Sequence, residues 1–273
     1  VTYKDGYFEG KYVNYNENGN KREEGFFVKS KKEGVCKVWY NSGQLEMIGY
    51  NKNGYQDSLW TFYYESGNKK EEGHYKRDER IGTWKNWYDN KTLKAIWKIE
   101  NRVNHLMEYY SKKGKQKIVN GTGPFISYHK SGEIQFEGKY QDGLKTDLWN
   151  EYNAAGTKIS SGKYDKGVMS GKWVYYWNDG TTKRLEGSIE NGLKNGTWIY
   201  WYEGGQTLKE ISFKSGKEDG PMKEWFEDGK LSVEGEFLAG EKNGKWIFWL
   251  PNEQIDFEGS FRACLLYTSD AAD

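Results

Sequence analysis

One phrase recurs along the chain, and its period limits the fold more than any other property of the sequence. Between Gly192 and Gly205 it reads glycine, three residues, Gly196, one residue, Trp198, two residues, Trp201, then a turn closing at Gly205. With Trp198 as position zero, the equivalents are Tyr12, Cys36, Trp60, Trp84, Met107, Phe125, Trp149, Trp173, Met222 and Trp246. Successive members of the full column lie 24, 24, 24, 23, 18, 24, 24, 25, 24 and 24 residues apart. A fixed period of this length marks a stacked array of one small unit.

The content of the unit follows from its residues. Position three is aromatic in every copy, from Tyr15 to Trp249, and position seven is usually glycine, as at Gly19, Gly43, Gly67, Gly114 and Gly205. Asn-Gly, Ser-Gly and Asp-Gly before a second apolar run are hairpin signals, because glycine accepts the positive φ the turn requires. The second run commonly ends in Glu-Gly-x-aromatic, as in Glu72-Gly73 with Tyr75 and Glu234-Gly235 with Phe237. A second turn, aromatic-x-x-Gly-x-x-x-Gly-x-Trp, leads back to the next copy, seen whole in Phe237, Gly240, Gly244 and Trp246. Two strands of about six residues and two turns fill the period and leave no length for a helix. The expected fold is therefore all-β: an elongated single-layer antiparallel β-meander of about eleven stacked hairpin repeats, spanning residues 1–262.

Strand side chains alternate, so positions zero and three should face opposite ways and form one aromatic ladder on each side. A bulge beside the glycine would instead bring both columns to one side; two ladders are the expectation. Position three, always aromatic, is read as the stricter requirement, so Trp201→Ala should destabilise more than Trp198→Cys. The irregular place is 101–123, where the second-turn glycines are missing and the return strand is short. Either a boundary between sub-arrays or a tolerated loop deletion would account for it.

Composition supports strands. Mean hydropathy is −1.01, yet aromatics reach 17% with 13 Trp and 22 Tyr, which separates the chain from disordered sequences. Lys plus Arg (41) nearly cancels Asp plus Glu (40), so no bulk field favours nucleic acid, and none is expected as a partner. No apolar run is long enough to span a bilayer as a helix.

The phrase Gly-x-Trp-x-x-Tyr-Tyr-x-x-x-Gly followed by Glu-Gly-x-Tyr-x-x-Gly resembles the MORN repeat, and more closely the bacterial variant of YwqK-like antitoxin proteins. The resemblance covers residues 6–261 and departs from the pattern at Met107 and Phe125, and at Cys36 and Met222, which replace the aromatic. It implies a non-enzymatic repeat scaffold that binds proteins or, in some members, membranes, with neutralisation of a co-encoded toxin as the most concrete function. A weaker similarity, to choline-binding cell-wall repeats, fits the period poorly. The alternative reading is an aromatic-rich surface for glycan or anionic lipid.

Chemistry-bearing residues do not converge. His74, His105 and His129 occupy three different columns, Cys36 sits in the ladder as a small apolar residue, and the Gly-x-x-x-Gly phrases lack the lysine of a phosphate loop. No catalytic, metal or cofactor site is expected. Glutamates recur at Glu24, Glu72, Glu137, Glu210, Glu234 and Glu258, with Glu186 one place displaced, and Lys21, Lys69, Lys158 and Lys183 follow the hairpin turns; charge pairing between strands is the expected use. The residues expected to be exposed for a partner are Tyr64, Tyr88, Trp177, Tyr202 and Phe226.

The end of the chain, Cys264 to Asp273, resembles the translation of a sequencing-library adapter, so 263–273 is expected to be foreign to the fold. The open N-terminus fits a gene fragment from which an export signal could be missing; without one, a cytoplasmic protein is expected.

Overall fold

The computed structural model describes residues 2–262 and 265–267. Every regular element among them is a β-strand, and each strand pairs with its neighbours in sequence except across 118–123. The meander is not one sheet. Eleven strands, from Thr2–Lys4 to Gln116–Ile118, make the first sheet, and thirteen, from Gly123–Tyr128 to Leu265–Tyr267, make the second. Contacts divide the chain into two compact units, residues 1–124 with 140–144, and residues 125–139 with 145–273. The irregular stretch is thus a boundary between sub-arrays. Its return strand, Gln116–Ile118, is only three residues long, and a tight turn bridging Val119 and Thr122 follows it.

Within each sheet the two turns of a repeat differ in kind. Asn191 and Gly192, at φ 51° and 79°, are both left-handed, as a two-residue type I′ hairpin requires. The N–H of the second turn residue also donates to a carbonyl of the preceding repeat, as from Gly216 to Lys194 at 2.8 Å and from Gly240 to Glu218 at 2.7 Å. The other turn is longer and closes on itself, with Tyr202 N–H donating to Gln206 O at 2.8 Å and Gly205 N–H to Tyr202 O at 2.9 Å.

The glycine of the Glu-Gly phrase has a different task from the turn glycines. Gly187 is absent from the left-handed set, and a Cβ built on it would stand 2.3 Å from the Trp198 indole. Gly49, Gly73, Gly138, Gly162 and Gly235 meet Trp60, Trp84, Trp149, Trp173 and Trp246 in the same way. Each tryptophan lies flat on bare backbone eleven residues earlier in the chain. In four of the six the ring N–H donates to the carbonyl just beyond the glycine, Trp198 to Ser188, Trp60 to Tyr50, Trp173 to Lys163 and Trp246 to Glu236, each at 3.1 Å; Trp149 donates to Thr146 O in its own strand, and the Trp84 N–H is buried without an acceptor. Opposite that glycine the tryptophan strand carries a bulge: Ser188 pairs with Asn195 but Glu186 pairs with Ile199, leaving Gly196, Thr197 and Trp198 against one residue. Where Ile211 replaces the glycine, Met222 replaces the tryptophan and the two pair directly.

Two members of the position-zero column are not aromatic in the first sheet, Met107 and Cys36. In the strand Val103–Tyr110 the buried member is Leu106 rather than Met107, because the register shifts between Leu106 and Glu108. Cys36 is buried, as expected for a small apolar residue.

The two-ladder expectation holds, with unequal ladders. In the second sheet the buried cluster is Trp173, Ile189, Trp198, Ile211, Met222 and Trp246, with Tyr175, Tyr200 and Phe248 of position two packed against it. Trp201 and its column do not belong to that cluster. They lie on the other face of the sheet, as alternation from Trp198 through Trp201 dictates. Trp198 is 1% exposed, whereas Trp201 is half-buried.

The expected stability order is therefore reversed: the always-aromatic column is the less buried one. The tail expected to be foreign falls largely on 263–264 and 268–273, outside the described residues, while the backbone of Leu265–Tyr267 pairs with Ile255–Arg262.

Trp198→Cys should lower the unfolding free energy by about 3 kcal/mol or more through cavity formation, and Trp201→Ala by less. Gly187→Ala should cost about 1–3 kcal/mol by overpacking. Chemical denaturation of the three variants checks both statements.

Candidate functional site

The face that carries position zero is closed by the protein itself. Four residues before four of the six indoles stands a cation whose head lies over the ring: Arg80 at 4.0 Å from the Trp84 centroid, Lys145 at 4.3 Å from Trp149, Lys194 at 4.4 Å from Trp198 and Lys242 at 4.3 Å from Trp246; Gln56 and Met169 hold that place before Trp60 and Trp173. The lysine stems cover apolar surface while the ammonium meets the negative ring face. Lys194 also reaches the rings of Tyr200 and Phe213. These indoles consequently have no open face on which a sugar could stack. The sequence signal was present as Lys-x-Gly-x-Trp or a near form, visible at Lys194-Asn195-Gly196 and Lys242-Asn243-Gly244.

In the first repeats the same space is organised around Glu23. Its carboxylate accepts from Tyr12 Oη at 2.6 Å and from the Cys36 thiol at 3.5 Å, and it pairs with Lys32. Desolvation works against ionisation of Glu23, but Lys32 and Tyr12 hold it below the ordinary carboxylate range. Burial, followed by the Glu23 charge, pushes the Cys36 thiol up, which is the opposite of an activated nucleophile.

The five residues expected to be exposed are all half-buried. Their column, position four, ties each repeat to the next. Tyr64 Oη donates to Trp87 O at 2.8 Å, Tyr88 to Tyr110 O at 2.9 Å and Tyr202 to Trp225 O at 2.9 Å. Tyr40 makes the same bond to Tyr63 O at 2.7 Å, and His129 Nε2 stands 2.8 Å from Tyr152 O. Burial raises the phenols of Tyr64 and Tyr202 above their ordinary value. Trp177 and Phe226 occupy the same place without that bond, Trp177 having its ring N–H buried with no acceptor. A hydroxyl reaching 23 residues ahead has no local sequence signature, so the bond was illegible before the sheets were seen.

The charged comb is also internal to the array. Lys21, Lys69 and Lys183 pair with Glu24, Glu72 and Glu186 three places along their own strands, at 3.1, 2.6 and 2.8 Å. Each also lies over a position-three tryptophan of the following repeat, namely Trp39, Trp87 and Trp201 at 5.6, 5.1 and 5.4 Å. Lys158 departs from this and lies over Tyr152 of its own repeat. Glu137 takes no lysine either; it accepts from Asn150 and Tyr152.

What remains open to a partner is the outer face, away from the buried cluster, and here the two sheets differ. In the first sheet Phe26, Val35, Tyr50 and Leu59 are 50%, 51%, 39% and 47% exposed. Val35 pairs directly with Tyr50, and the others are diagonal neighbours, so they form one stripe crossing four strands. The corresponding cross-strand pairs of the second sheet are Leu148 with Lys163, Lys172 with Ser188, Thr197 with Ser212, Pro221 with Glu236, and Lys245 with Ser260; Leu148 is as exposed as Val35, but each pair has at least one polar member and no apolar row forms. The stripe runs beside Glu9 and Glu33, each of which accepts one turn N–H, from Lys29 at 2.9 Å and Asn53 at 2.8 Å. Neither forms an ion pair among the described residues.

Six segments, 8–29, 32–53, 56–77, 122–142, 194–215 and 218–239, match the family model described as the MORN repeat variant, together a little under half of the chain. Most of them begin at the position that covers the ring and end at the type I′ turn, so the family unit coincides with the structural one. No curated protein matches the chain. Among solved structures, a crystal structure of TcdB2-TccC3-Cdc42 aligns at 12% identity over 92% of this chain and 15% of that one, with a TM-score of 0.17. The Photorhabdus luminescens Tc holotoxin pore aligns at 11% identity over 92% and 15%, with a TM-score of 0.21. This chain spans about 15% of the length of those proteins, and alignments this loose carry no weight for fold or function.

Tyr64→Phe should reduce stability by about 1 kcal/mol, the worth of one hydrogen bond, and leave the strand content intact by circular dichroism. Cys36 should resist a thiol reagent in the native protein and react fully in denaturant; rapid native reaction would contradict its burial.

Proposed function

We propose that this chain is a non-enzymatic MORN-repeat scaffold that binds a protein partner on the outer face of its first sheet. The observation that carries the reading is the exposed stripe Phe26–Val35–Tyr50–Leu59, set against the polar pairs of the second sheet at the same repeat positions. Isolated exposed apolar residues are ordinary, but a contiguous row with a polar counterpart in the same molecule marks an interaction surface. Glu9 and Glu33 beside it suit a partner with lysine or arginine next to its own apolar contact residues.

Within that reading, the YwqK-like resemblance favours a co-encoded toxin as the partner, with the scaffold acting as antitoxin by covering a functional surface. Glycan binding has less support, because all six position-zero indoles are buried, four of them under Arg80, Lys145, Lys194 and Lys242. The position-four residues Tyr64, Tyr88, Trp177, Tyr202 and Phe226 would contribute to binding only through the ring edges that the repeat-to-repeat contacts leave free.

The test is titration calorimetry with the product of the neighbouring gene. Phe26→Lys, Tyr50→Ser and Leu59→Thr together copy residues of the second sheet (Lys163, Ser188 and Thr197) into the stripe. The triple variant should keep its melting temperature and weaken the one-to-one complex by about a hundredfold, from the loss of apolar anchors of ordinary strength. Unchanged affinity would overturn the assignment of this face.

A further inference from the structure

The long turns along one edge of the first sheet are equivalent positions, so their charges can be compared directly. Three of them carry a carboxylate at the same place: Glu17 in Glu17-Asn18-Gly19-Asn20, Glu65 in Glu65-Ser66-Gly67-Asn68 and Asp89 in Asp89-Asn90-Lys91-Thr92. The turn Asn41-Ser42-Gly43-Gln44 is neutral. The last two differ in carrying lysine, Lys91 in one and Lys112, Lys113 and Lys115 in the other.

These two turns are held side by side. Tyr88 Oη donates to Tyr110 O at 2.9 Å and Asn90 Nδ2 to Lys112 O at 3.1 Å. Lys94 joins the group, its ammonium 5.6 Å from the Tyr88 ring centroid. Although Lys94 is exposed over much of its length, desolvation at that ring, and then the charge of Lys112, push it below the ordinary lysine range. The nearest acidic candidate, Asp89, is turned the other way and accepts from Ser66 and from Asn68 Nδ2 at 3.2 Å. Glu108 is taken by Tyr110 Oη at 2.5 Å. None of Lys91, Lys94, Lys112, Lys113 and Lys115 forms an ion pair among the described residues.

Lys91 adds an independent observation. It stands where the other long turns of this sheet have Gly19, Gly43, Gly67 and Gly114, and it adopts the same left-handed backbone, φ 69°. A lysine there is strained relative to glycine. The backbone of the turn therefore gains nothing from this cation.

We propose that the paired turns 88–92 and 110–115 form a binding edge for an acidic peptide segment of a protein partner, separate from the apolar stripe. Lysines act as mobile point charges and need no rigid fork, so an extended run of aspartate and glutamate fits them. A flat anionic membrane fits less well. Neighbouring turns of the array are about 10 Å apart, two strand spacings, which is about one Debye length at 0.1 M salt. A planar surface lowered onto this edge would meet Glu17 and Glu65 along with the lysines, whereas a single peptide strand can follow the last two turns, where Asp89 is engaged by Ser66 and Asn68. No large apolar residue in either turn is available to enter a bilayer.

The experiment uses the full chain and a fluorescent oligoglutamate peptide, with binding read by anisotropy across a salt series. Lys112→Asn, Lys113→Ser and Lys115→Gln together copy the Asn41-Ser42-Gly43-Gln44 turn. That variant should weaken binding about tenfold, as expected for three exposed charge pairs, and flatten the salt dependence. A control with Lys163, Lys166 and Lys214 changed to glutamine removes equal charge from the second sheet and should leave affinity within about twofold. Lys91→Gly should weaken binding while raising the melting temperature, a combination that damage to the fold cannot produce. Equal losses in the two triple variants would overturn the proposal, as would no binding by the wild-type chain. Vesicles of phosphatidylcholine with phosphatidylserine are the competing probe; if they displace the peptide from the wild type and bind the turn variant weakly, a membrane takes the place of the acidic segment. Binding of the peptide can fail while the stripe variant behaves as expected, so the two readings are separable.

Discussion

An indole lying on a glycine is the contact from which the rest of this structure follows. Wherever the pair occurs, as at Gly187 and Trp198, the large ring needs a strand with no side chain beneath it, and in four of the six pairs a backbone carbonyl of that strand accepts its N–H. The bare backbone is supplied by the preceding strand, eleven residues earlier. The tryptophan strand must bulge to set the ring there, which is why Gly196 is left-handed and why the register slips between Glu186 and Ser188. The exchange of both partners at Ile211 and Met222 shows that the two positions form one packing unit. A single sheet has no second layer to bury its aromatics, and this arrangement lets it bury them against its own backbone.

The remaining contacts secure neighbouring repeats at three levels. Type I′ turns donate to the previous repeat at one edge, tyrosine hydroxyls reach the next repeat at the other, and lysines on the outer face bridge a glutamate of their own strand and a tryptophan of the following one. Single exposed charge pairs are weak, each worth about 0–1 kcal/mol. Repetition makes them add along the array, since stability in such proteins is close to a sum of neighbour terms. The same logic explains the cations over the indoles: they close the one face that the glycine contact leaves open.

Function, by contrast, belongs to the places where repeats stop being alike. The structural requirements account for the glycines, the indoles, the ring-covering cations and the position-four tyrosines, so none of these distinguishes a binding surface. Phe26, Val35, Tyr50 and Leu59 serve no such requirement, since the second sheet forms no contiguous apolar row at these positions, Leu148 standing opposite Lys163. The lysines of the last two long turns of the first sheet are of the same kind, and Lys91 even opposes the local backbone preference. Each sheet thus serves as an internal reference for the other.

Periodicity by itself determined the all-β class, the hairpin unit, the two opposed columns and the break near 101–123, because each depends on residue type at a fixed spacing and on strand alternation. It also determined that Cys36 would be buried, since a ladder position leaves little alternative. Only the tertiary structure decided which column is the core: conservation of an aromatic at position three says that a flat ring is needed there, whereas burial depends on the glycine eleven residues before position zero, and spacing alone could not link the two. For the same reason Tyr64 and Tyr202 read as exposed anchors, although their hydroxyls are bonded to the neighbouring repeat. The shift from Met107 to Leu106 and the division into two sheets were likewise decided by register, a property of paired strands that no one strand contains.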